Sequence, residues 1–171
     1  MSIAIVTDST ADLPKDVAEQ HGITVVPLNV RFGMEEFKDG IGIDNDTFYR
    51  RLQEESELPT TSQPSVGEFA AVYEELLSAH EGIVSIHISG KLSQTVNSAV
   101  QGARGVDGDG TKIRTIDTGQ ATIPLGLIVI EAAKSAGSGA DLEEVVGAVE
   151  SAMDRSRFYG MVDTLEYLIK G

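Results

Sequence analysis

The sequence predicts an α/β fold of three layers, in which a mainly parallel sheet is covered by helices on both faces. Short β-branched runs, of which residues 3–6 and 83–88 are the clearest, alternate with segments of helical periodicity. This alternation is typical of parallel sheets, because a parallel connection needs a crossover segment between its two strands. Polar turns follow several of these strands, as expected at the carboxyl edge of such a sheet.

The first third of the chain supplies three extended segments and one helix. The extended segments are expected at residues 3–6, 23–26 and 30–32. Asp12 and Pro14 predict the start of a helix that runs to about Gln20, since Asp is favoured at an N-cap and proline in the first turn. His21 and Gly22 are expected to end it.

The next segment is expected to be largely irregular. An acidic, glycine-containing loop is predicted over residues 33–45, after which Asp46 is expected to cap a helix that runs to about Glu55. Residues 58–65 are predicted to lack regular structure because they contain Pro59 and Pro64.

Strand and helix patterns then alternate to residue 154. Ser65 and Glu68 have the spacing of a capping box and predict the start of an amphipathic helix. Asp141 is expected to cap the last helix of the domain, which runs to about Asp154. Between these two helices the sequence predicts strands at residues 83–88 and 112–116, a helix at residues 93–104, and a further helix of small and aliphatic residues after Gln120.

We divide the chain into an N-terminal α/β domain, residues 1–154, and the start of a second α/β domain, residues 155–171. A strand at residues 158–162 and a short helix at residues 165–170 are predicted in the second part. One strand and one helix leave most of their apolar surface without a partner, so this second domain is expected to be incomplete.

Composition and charge exclude several classes of function. With 13 basic and 27 acidic residues the net charge is −14, which argues against nucleic acid and against anionic membrane surfaces as partners. The chain contains no cysteine, which removes disulfides and thiol chemistry. We expect neither a signal peptide nor stable membrane insertion, because no apolar run is long enough, and we predict a cytoplasmic protein without a cofactor.

Hydroxyl-rich turns are the candidate functional feature. Three of them follow predicted strands, at residues 7–10, 89–95 and 117–122, and a fourth lies at residues 60–65. Each precedes a helix N-terminus, where free backbone N–H groups and the helix dipole favour an anion. Because these turns present hydroxyls and amides more than fixed charges, they suit a carboxylate ligand. For any single Ser or Thr, however, helix capping is a sufficient explanation.

An enzyme is the alternative, with Asp8 or Ser93 as nucleophile in a reaction on an acyl or phosphorylated substrate. His87 is predicted to be a core or sheet-face residue more readily than a base, although Ser93, His87 and Asp8 contain the residue types of a catalytic triad. The sequence lacks a nucleophile elbow, a dinucleotide fingerprint and a phosphate-binding loop. We predict no metal site, since only Asp8 and Asp117 follow strands as candidate ligands.

Two blocks of sequence resemble the DegV family of fatty-acid-binding proteins: the opening residues 5–13, Ile-Val-Thr-Asp-Ser-Thr-Ala-Asp-Leu, and residues 60–65, Thr-Thr-Ser-Gln-Pro-Ser. Shorter similarities at residues 24–28, 89–99 and 162–168 extend the resemblance over the chain. The resemblance implies a DegV-like fold of two α/β domains. It also implies a bound long-chain fatty acid whose carboxylate is held by one Thr and one Ser hydroxyl.

Carried onto this sequence, the resemblance assigns those hydroxyls to Thr61 and Ser93, with Ser62 and Gln94 beside them. The possible lining residues are Asp8, Ser9, Thr118 and Ala121. Some members of the family present the fatty acid to a separate fatty-acid kinase, which implies a carrier and not a catalyst. The second motif departs from the family pattern Ser-Ser-x-x-Ser-Gly-Thr-Tyr at Gln94 and Val96, and Gln94 would be strained if that position needed φ > 0.

Overall fold

The computed structural model describes residues 2–165, which contain two β-sheets. Four strands form a parallel sheet in the order β2-β1-β6-β7, and three form a small antiparallel sheet in the order β4-β3-β5. The strands are β1 (Ile3–Asp8), β2 (Ile23–Val26), β3 (Asn29–Phe32), β4 (Glu35–Lys38), β5 (Thr60–Ser62), β6 (Gly82–His87) and β7 (Ile113–Asp117). The helices are α1 (Lys15–Gln20), α2 (Asn45–Glu54), α3 (Val66–Leu77), α4 (Thr95–Val106), α5 (Thr122–Gly137) and α6 (Leu142–Arg155).

The parallel sheet is the middle layer of three, which confirms the predicted α/β architecture. Every residue of β1 and β6 is buried, as expected for strands that are covered on both faces. One face packs against α3 and α4 through residues that include Phe69, Tyr73 and Ala99. The other face packs against α5 and α6, whose buried residues include Leu125 and Val145.

Close helix packing explains one glycine of α5. An added Cβ at Gly126 would lie 2.5 Å from the carbonyl oxygen of Ala11, which belongs to the 3₁₀ turn Ser9–Ala11 after β1. Only glycine therefore lets α5 approach the backbone of this turn so closely.

The observed N-caps agree with those predicted from the sequence at two helices and differ from them at two others. The capping boxes Ser65–Glu68 and Asp141–Glu144 are both formed. At α2, the predicted cap Asp46 is wrong by two residues, because Asp44 accepts the hydrogen bond from the Thr47 N–H. At α1, the N-cap is Pro14 and not Asp12; Asp12 instead ends the 3₁₀ turn with a left-handed φ of 49°.

The small antiparallel sheet was not predicted. Its strand β4 lies within the expected loop 33–45, and β5 lies within the segment 58–65 that we expected to be irregular. A separate core of Val30, Phe32 and Ile43 lies beneath this sheet. The guanidinium of Arg51 stacks over the Phe32 ring, 4.3 Å from its centroid, and attaches α2 to the sheet.

Residues 156–165 contain no helix or strand, so the strand expected at residues 158–162 is not formed. The helix expected at residues 165–170 falls, beyond its first residue, outside the described residues. The helix α6 ends at Arg155, and the division into two domains at residue 154 stays a prediction. None of the helices within residues 2–165 is long and apolar enough to cross a bilayer.

Candidate functional site

A cavity of about 300 Å³ lies at the carboxyl edge of the parallel sheet, beside the small sheet. Thr61 and Ser62 reach it from β5, whereas Ser93 and Gln94 reach it from the turn between β6 and α4. The four hydroxyl and amide residues named from the sequence as ligand-binding candidates therefore border one space. The complete lining consists of Leu28, Thr61, Ser62, Gln63, Gly90, Lys91, Leu92, Ser93 and Gln94.

The Ser93 wall is a tight turn held by its own backbone. The N–H groups of Leu92 and Ser93 both donate to the carbonyl of Ser89, at 2.9 and 3.1 Å. The Ser93 hydroxyl lies 2.8 Å from the Thr95 hydroxyl and accepts from the Thr95 N–H at 3.3 Å. These bonds hold the Ser93 hydroxyl at the start of α4, where the helix N-terminus favours a negative charge.

The side chain of Asp117 stabilises the same turn by hydrogen bonds to its backbone. Its carboxylate accepts from the Gly90 N–H, with both oxygens at 3.1 Å, and from the Gly119 N–H at 2.9 Å. An added Cβ at Gly90 would lie 2.9 Å from the Asp117 carboxylate. A side chain at position 90 would therefore displace the group that fixes the turn.

The Thr61 wall is exposed and belongs to the small sheet. Thr61 pairs with Val30 in the β3–β5 ladder, and the neighbouring Ser62 hydroxyl accepts from the Asn29 amide at 3.2 Å. Among the described residues we find no hydrogen bond from the Thr61 hydroxyl, so it is available to a ligand in the cavity. Ladder pairing, and not helix capping, is what positions Thr61.

Lys91 is the only charged side chain among the nine residues that line the cavity. The Asp117 carboxylate lies behind the lining, where it accepts from the Gly90 N–H. In a chain of net charge −14, Lys91 places a cation beside the hydroxyl and amide donors, which favours an anion there.

The four possible lining residues lie elsewhere. Asp8 and Ser9 border a second, larger cavity of about 910 Å³, together with Asp12, Asp39 and other acidic residues. Thr118 and Ala121 border neither cavity and are both buried. Within residues 2–165, no group of three or more His, Cys, Asp and Glu side chains is arranged to hold a metal ion.

Comparison with known sequences places this chain in a family. The model of the family described as "Uncharacterised protein, DegV family" matches residues 2–171. The chain belongs to the DegV family. It is 39% identical over 169 residues to a DegV domain-containing protein of Caldanaerobacter subterraneus, and 38% identical over 172 residues to the protein DegV of Bacillus subtilis. These alignments cover 99% and 100% of this chain but 59% and 60% of the two relatives.

Solved structures of DegV family proteins have the same fold. A fatty-acid-binding member from Thermus thermophilus matches with a TM-score of 0.88 and 37% identity, over 100% of this chain and 60% of that one. DegV of Bacillus subtilis, described as a fatty acid binding protein, matches with a TM-score of 0.84 and 36% identity, over 90% and 54% of the two chains. The chain thus spans about three fifths of the length of the relatives it matches.

The departure from the DegV pattern at Gln94 causes no backbone strain. Gln94 is the N-cap of α4 with a φ of −79° and a ψ of 6°, so this position does not need a left-handed conformation. Gln94 lines the cavity and carries an amide that a glycine would lack; its oxygen accepts from the Asn97 amide at 2.5 Å, which leaves its N–H groups as donors.

A buried polar chain crosses the core of this DegV chain, and the sequence analysis missed it. His87 Nδ1 lies 2.8 Å from the Asp8 carboxylate, and His87 Nε2 lies 2.7 Å from the Ser85 hydroxyl. Ser85 in turn lies 2.8 Å from the Tyr73 hydroxyl, and all four side chains are buried. The available signal was the spacing Ser85-x-His87, which places two polar residues on the same face of a buried strand.

Burial by itself would raise the pKa of the Asp8 carboxyl. The hydrogen bond and charge of His87, together with hydrogen bonds from Thr10 and from the Ile88 N–H, outweigh burial and hold this pKa below its usual value. Asp8 is therefore ionised at neutral pH. His87 bonds Ser85 and not Ser93, so the triad of Ser93, His87 and Asp8 is not formed.

Proposed function

We propose that this chain binds a long-chain fatty acid with its carboxylate in the 300 Å³ cavity, held by the hydroxyls of Thr61 and Ser93. The observation that carries the proposal is that Thr61, on a strand of the small sheet, and Ser93, in the turn after β6, line one space together with a single cation. Ser62 and Gln94 supply further polar groups to the same space.

The chemistry of the lining fits a carboxylate head group on an apolar chain. Hydrogen bonds to a charged group are worth about 1.5–3 kcal/mol each, so two hydroxyls and Lys91 supply the recognition. Leu28 and the exposed Leu92 border the same cavity and offer apolar surface to the first methylene groups of the ligand.

Relatives support this choice of ligand. The Thermus thermophilus and Bacillus subtilis proteins are described as fatty-acid-binding, and a structure from Eubacterium ventriosum, 31% identical with a TM-score of 0.78, is described as binding stearic acid. Because this chain spans about three fifths of such proteins, fatty-acid binding by residues 1–171 is a proposal about this chain and needs its own test.

We further propose that the chain acts as a carrier in the cytoplasm and presents its fatty acid to a separate fatty-acid kinase. The resemblance to the DegV family supports this role. An open site at the edge of the sheet leaves the carboxylate within reach of a second protein, which phosphoryl transfer to that group requires.

The experiment is a binding titration of the 171-residue chain with oleate, using wild type and the double variant Thr61→Val with Ser93→Ala. Losing two hydrogen bonds to the carboxylate, worth together about 3–6 kcal/mol, should weaken binding by at least about 100-fold. Thr60→Val with Ser56→Ala is the matched control, because both residues are exposed and neither lines the cavity. Equal affinity for oleate in wild type and in the cavity variant would reject the proposal.

The enzyme alternative, with Asp8 or Ser93 as nucleophile, gains no support from the contacts. Both oxygens of the buried Asp8 carboxylate accept hydrogen bonds, and Ser93 pairs with Thr95 and not with a base. Hydrolase or phosphotransfer activity that is abolished by Asp8→Asn would restore this alternative.

A further inference from the structure

Asp8 lies outside the fatty-acid cavity, yet its carboxylate is hydrogen-bonded to the segments that lead to both cavity walls. One oxygen contacts the strand that ends at the Ser93 turn, and the other closes the turn that holds the segment leading to Thr61. The proposed binding of a fatty acid gives no role to this carboxylate, although it is fully buried and ionised.

The contact toward Ser93 is made by Oδ2. This atom accepts from His87 Nδ1 at 2.8 Å and from the Ile88 N–H at 3.2 Å. Ile88 is followed directly by Ser89, whose carbonyl accepts the N–H of Ser93 at 3.1 Å. The position of the Ser93 turn therefore depends on where the Asp8 carboxylate holds the end of β6.

The contact toward Thr61 is made by Oδ1. This atom accepts from the N–H of Thr10 at 3.1 Å and from its hydroxyl, which closes the 3₁₀ turn Ser9–Ala11. The Ser9 hydroxyl of that turn accepts from the Leu28 N–H at 3.1 Å. Leu28 lines the cavity and leads into β3, the strand to which Thr61 is paired.

The ionised state of Asp8 also fixes the donor in its contact with His87. A carboxylate can only accept, so His87 must donate from Nδ1. The other ring nitrogen, Nε2, contacts Ser85, which contacts Tyr73 in turn. In Asp8→Asn an amide replaces one oxygen, so one of the two sets of contacts must be lost.

We propose that Asp8 is a positioning residue that fixes the Thr61 and Ser93 walls relative to one another. The proposal rests on the proposed function, because it concerns the geometry of the same carboxylate site. Its contribution is to hold the hydroxyl of a strand in the small sheet and the hydroxyl of the turn after β6 at the spacing that one carboxylate can bridge.

The experiment compares oleate binding by the 171-residue chain in Asp8→Asn, Ser9→Ala and Tyr73→Phe. Asp8→Asn should bind about tenfold more weakly. Ser9→Ala should also bind more weakly, because it cuts the link to Leu28 and leaves the buried Asp8–His87 pair in place. Tyr73→Phe is the control for core damage, since it removes the far end of the polar chain and should leave affinity unchanged.

A double-mutant cycle between Asp8 and Thr61 distinguishes positioning of the site from a purely structural role. If Asp8 positions Thr61, Thr61→Val should cost less affinity in the Asp8→Asn background than in wild type. Additive losses, or wild-type affinity in Asp8→Asn and Ser9→Ala while the Thr61, Ser93 double variant is impaired, would overturn the inference and leave the proposed function intact.

A ligand-free measurement separates the two hypotheses. Amide NMR resonances of residues 60–62 and 93 should shift in Ser9→Ala and Asp8→Asn and stay unchanged in Tyr73→Phe. If wild type binds no oleate, the proposed function fails, and these resonances alone decide the inference. Unchanged resonances in Ser9→Ala would overturn it, including when Asp8→Asn does not fold.

Discussion

Replacing either of two helical glycines by alanine should change the stability of the fold, but in opposite directions. Gly126 in α5 and Gly147 in α6 both lie inside helices, where replacing glycine by alanine normally gains about 0.5–1 kcal/mol of stability. Their surroundings differ, because an added Cβ at Gly147 has no heavy atom within 4 Å, whereas one at Gly126 would lie 2.5 Å from the Ala11 carbonyl oxygen.

The expected changes in stability follow from the different space around the two glycines. Gly147→Ala should stabilise the fold by about 0.5–1 kcal/mol. At Gly126 the obstructing atom belongs to the backbone and cannot rotate away, so α5 or the Ser9–Ala11 turn must move. Overpacking of this kind costs about 1–3 kcal/mol, so after the helix gain we expect Gly126→Ala to destabilise the fold by about 1–2 kcal/mol.

The assay is urea unfolding followed by circular dichroism, with both variants compared with wild type at one pH. The midpoints should move in opposite directions while the slope with denaturant stays constant. Stabilisation by Gly126→Ala as large as that by Gly147→Ala would refute the inferred close approach of α5 to the turn after β1. Because that turn holds Ser9, Gly126→Ala should also weaken oleate binding.

Two further predictions concern charges. The hydrogen bond from Lys38, followed by those from Ser65, lowers the pKa of Glu68 from 4.5 to about 2, so its stabilisation is complete above pH 4.5 and is lost as the pH falls toward 2. The side chains of Lys38 and Glu68 are both nearly two-fifths exposed, so solvent screening reduces the effect of their contact. We expect Glu68→Gln to lower the free energy of unfolding by about 1 kcal/mol at pH 7 and by almost nothing at pH 2, a pH dependence that the exposed control Glu74→Gln should lack. A loss of unfolding free energy in Glu68→Gln that is the same at both pH values would contradict this. Lys91→Gln should weaken oleate binding by about two- to fivefold at low salt and have no effect in 1 M salt. The exposed Lys112→Gln makes the same charge change away from the cavity, and an equal effect in both variants would show that net charge alone is responsible.

The parts of the fold that were predictable from sequence are those decided within a few residues. The capping box at Ser65 and the N-cap at Asp141 are local patterns, and both form where the sequence indicated. The strand β5 could not be found in this way, because Thr60–Ser62 is short, polar and exposed. It is extended because it pairs with β3, about thirty residues earlier in the chain.

The candidate site shows the same limit. Polar turns at the carboxyl edge of the sheet indicated the segment that contains Ser93 as a candidate, whereas Thr61 lies on an antiparallel strand of another sheet. Only the resemblance to the DegV family paired the two residues. The contact between Asp8 and His87 spans 79 positions, so no local pattern could indicate that the carboxylate faces a histidine.

The separate core of the small sheet determines which part of the protein a bound ligand should stabilise most. Val30, Phe32 and Ile43 form a cluster of their own, so we expect the unit that bears Thr61 to open without unfolding the parallel sheet. If a carboxylate bridges Thr61 and Ser93 as proposed, it cross-links these two units. Occupancy should therefore slow amide hydrogen exchange in β3 and β5 far more than in β1 and β6, and most of the binding free energy should appear as resistance of the small sheet to opening.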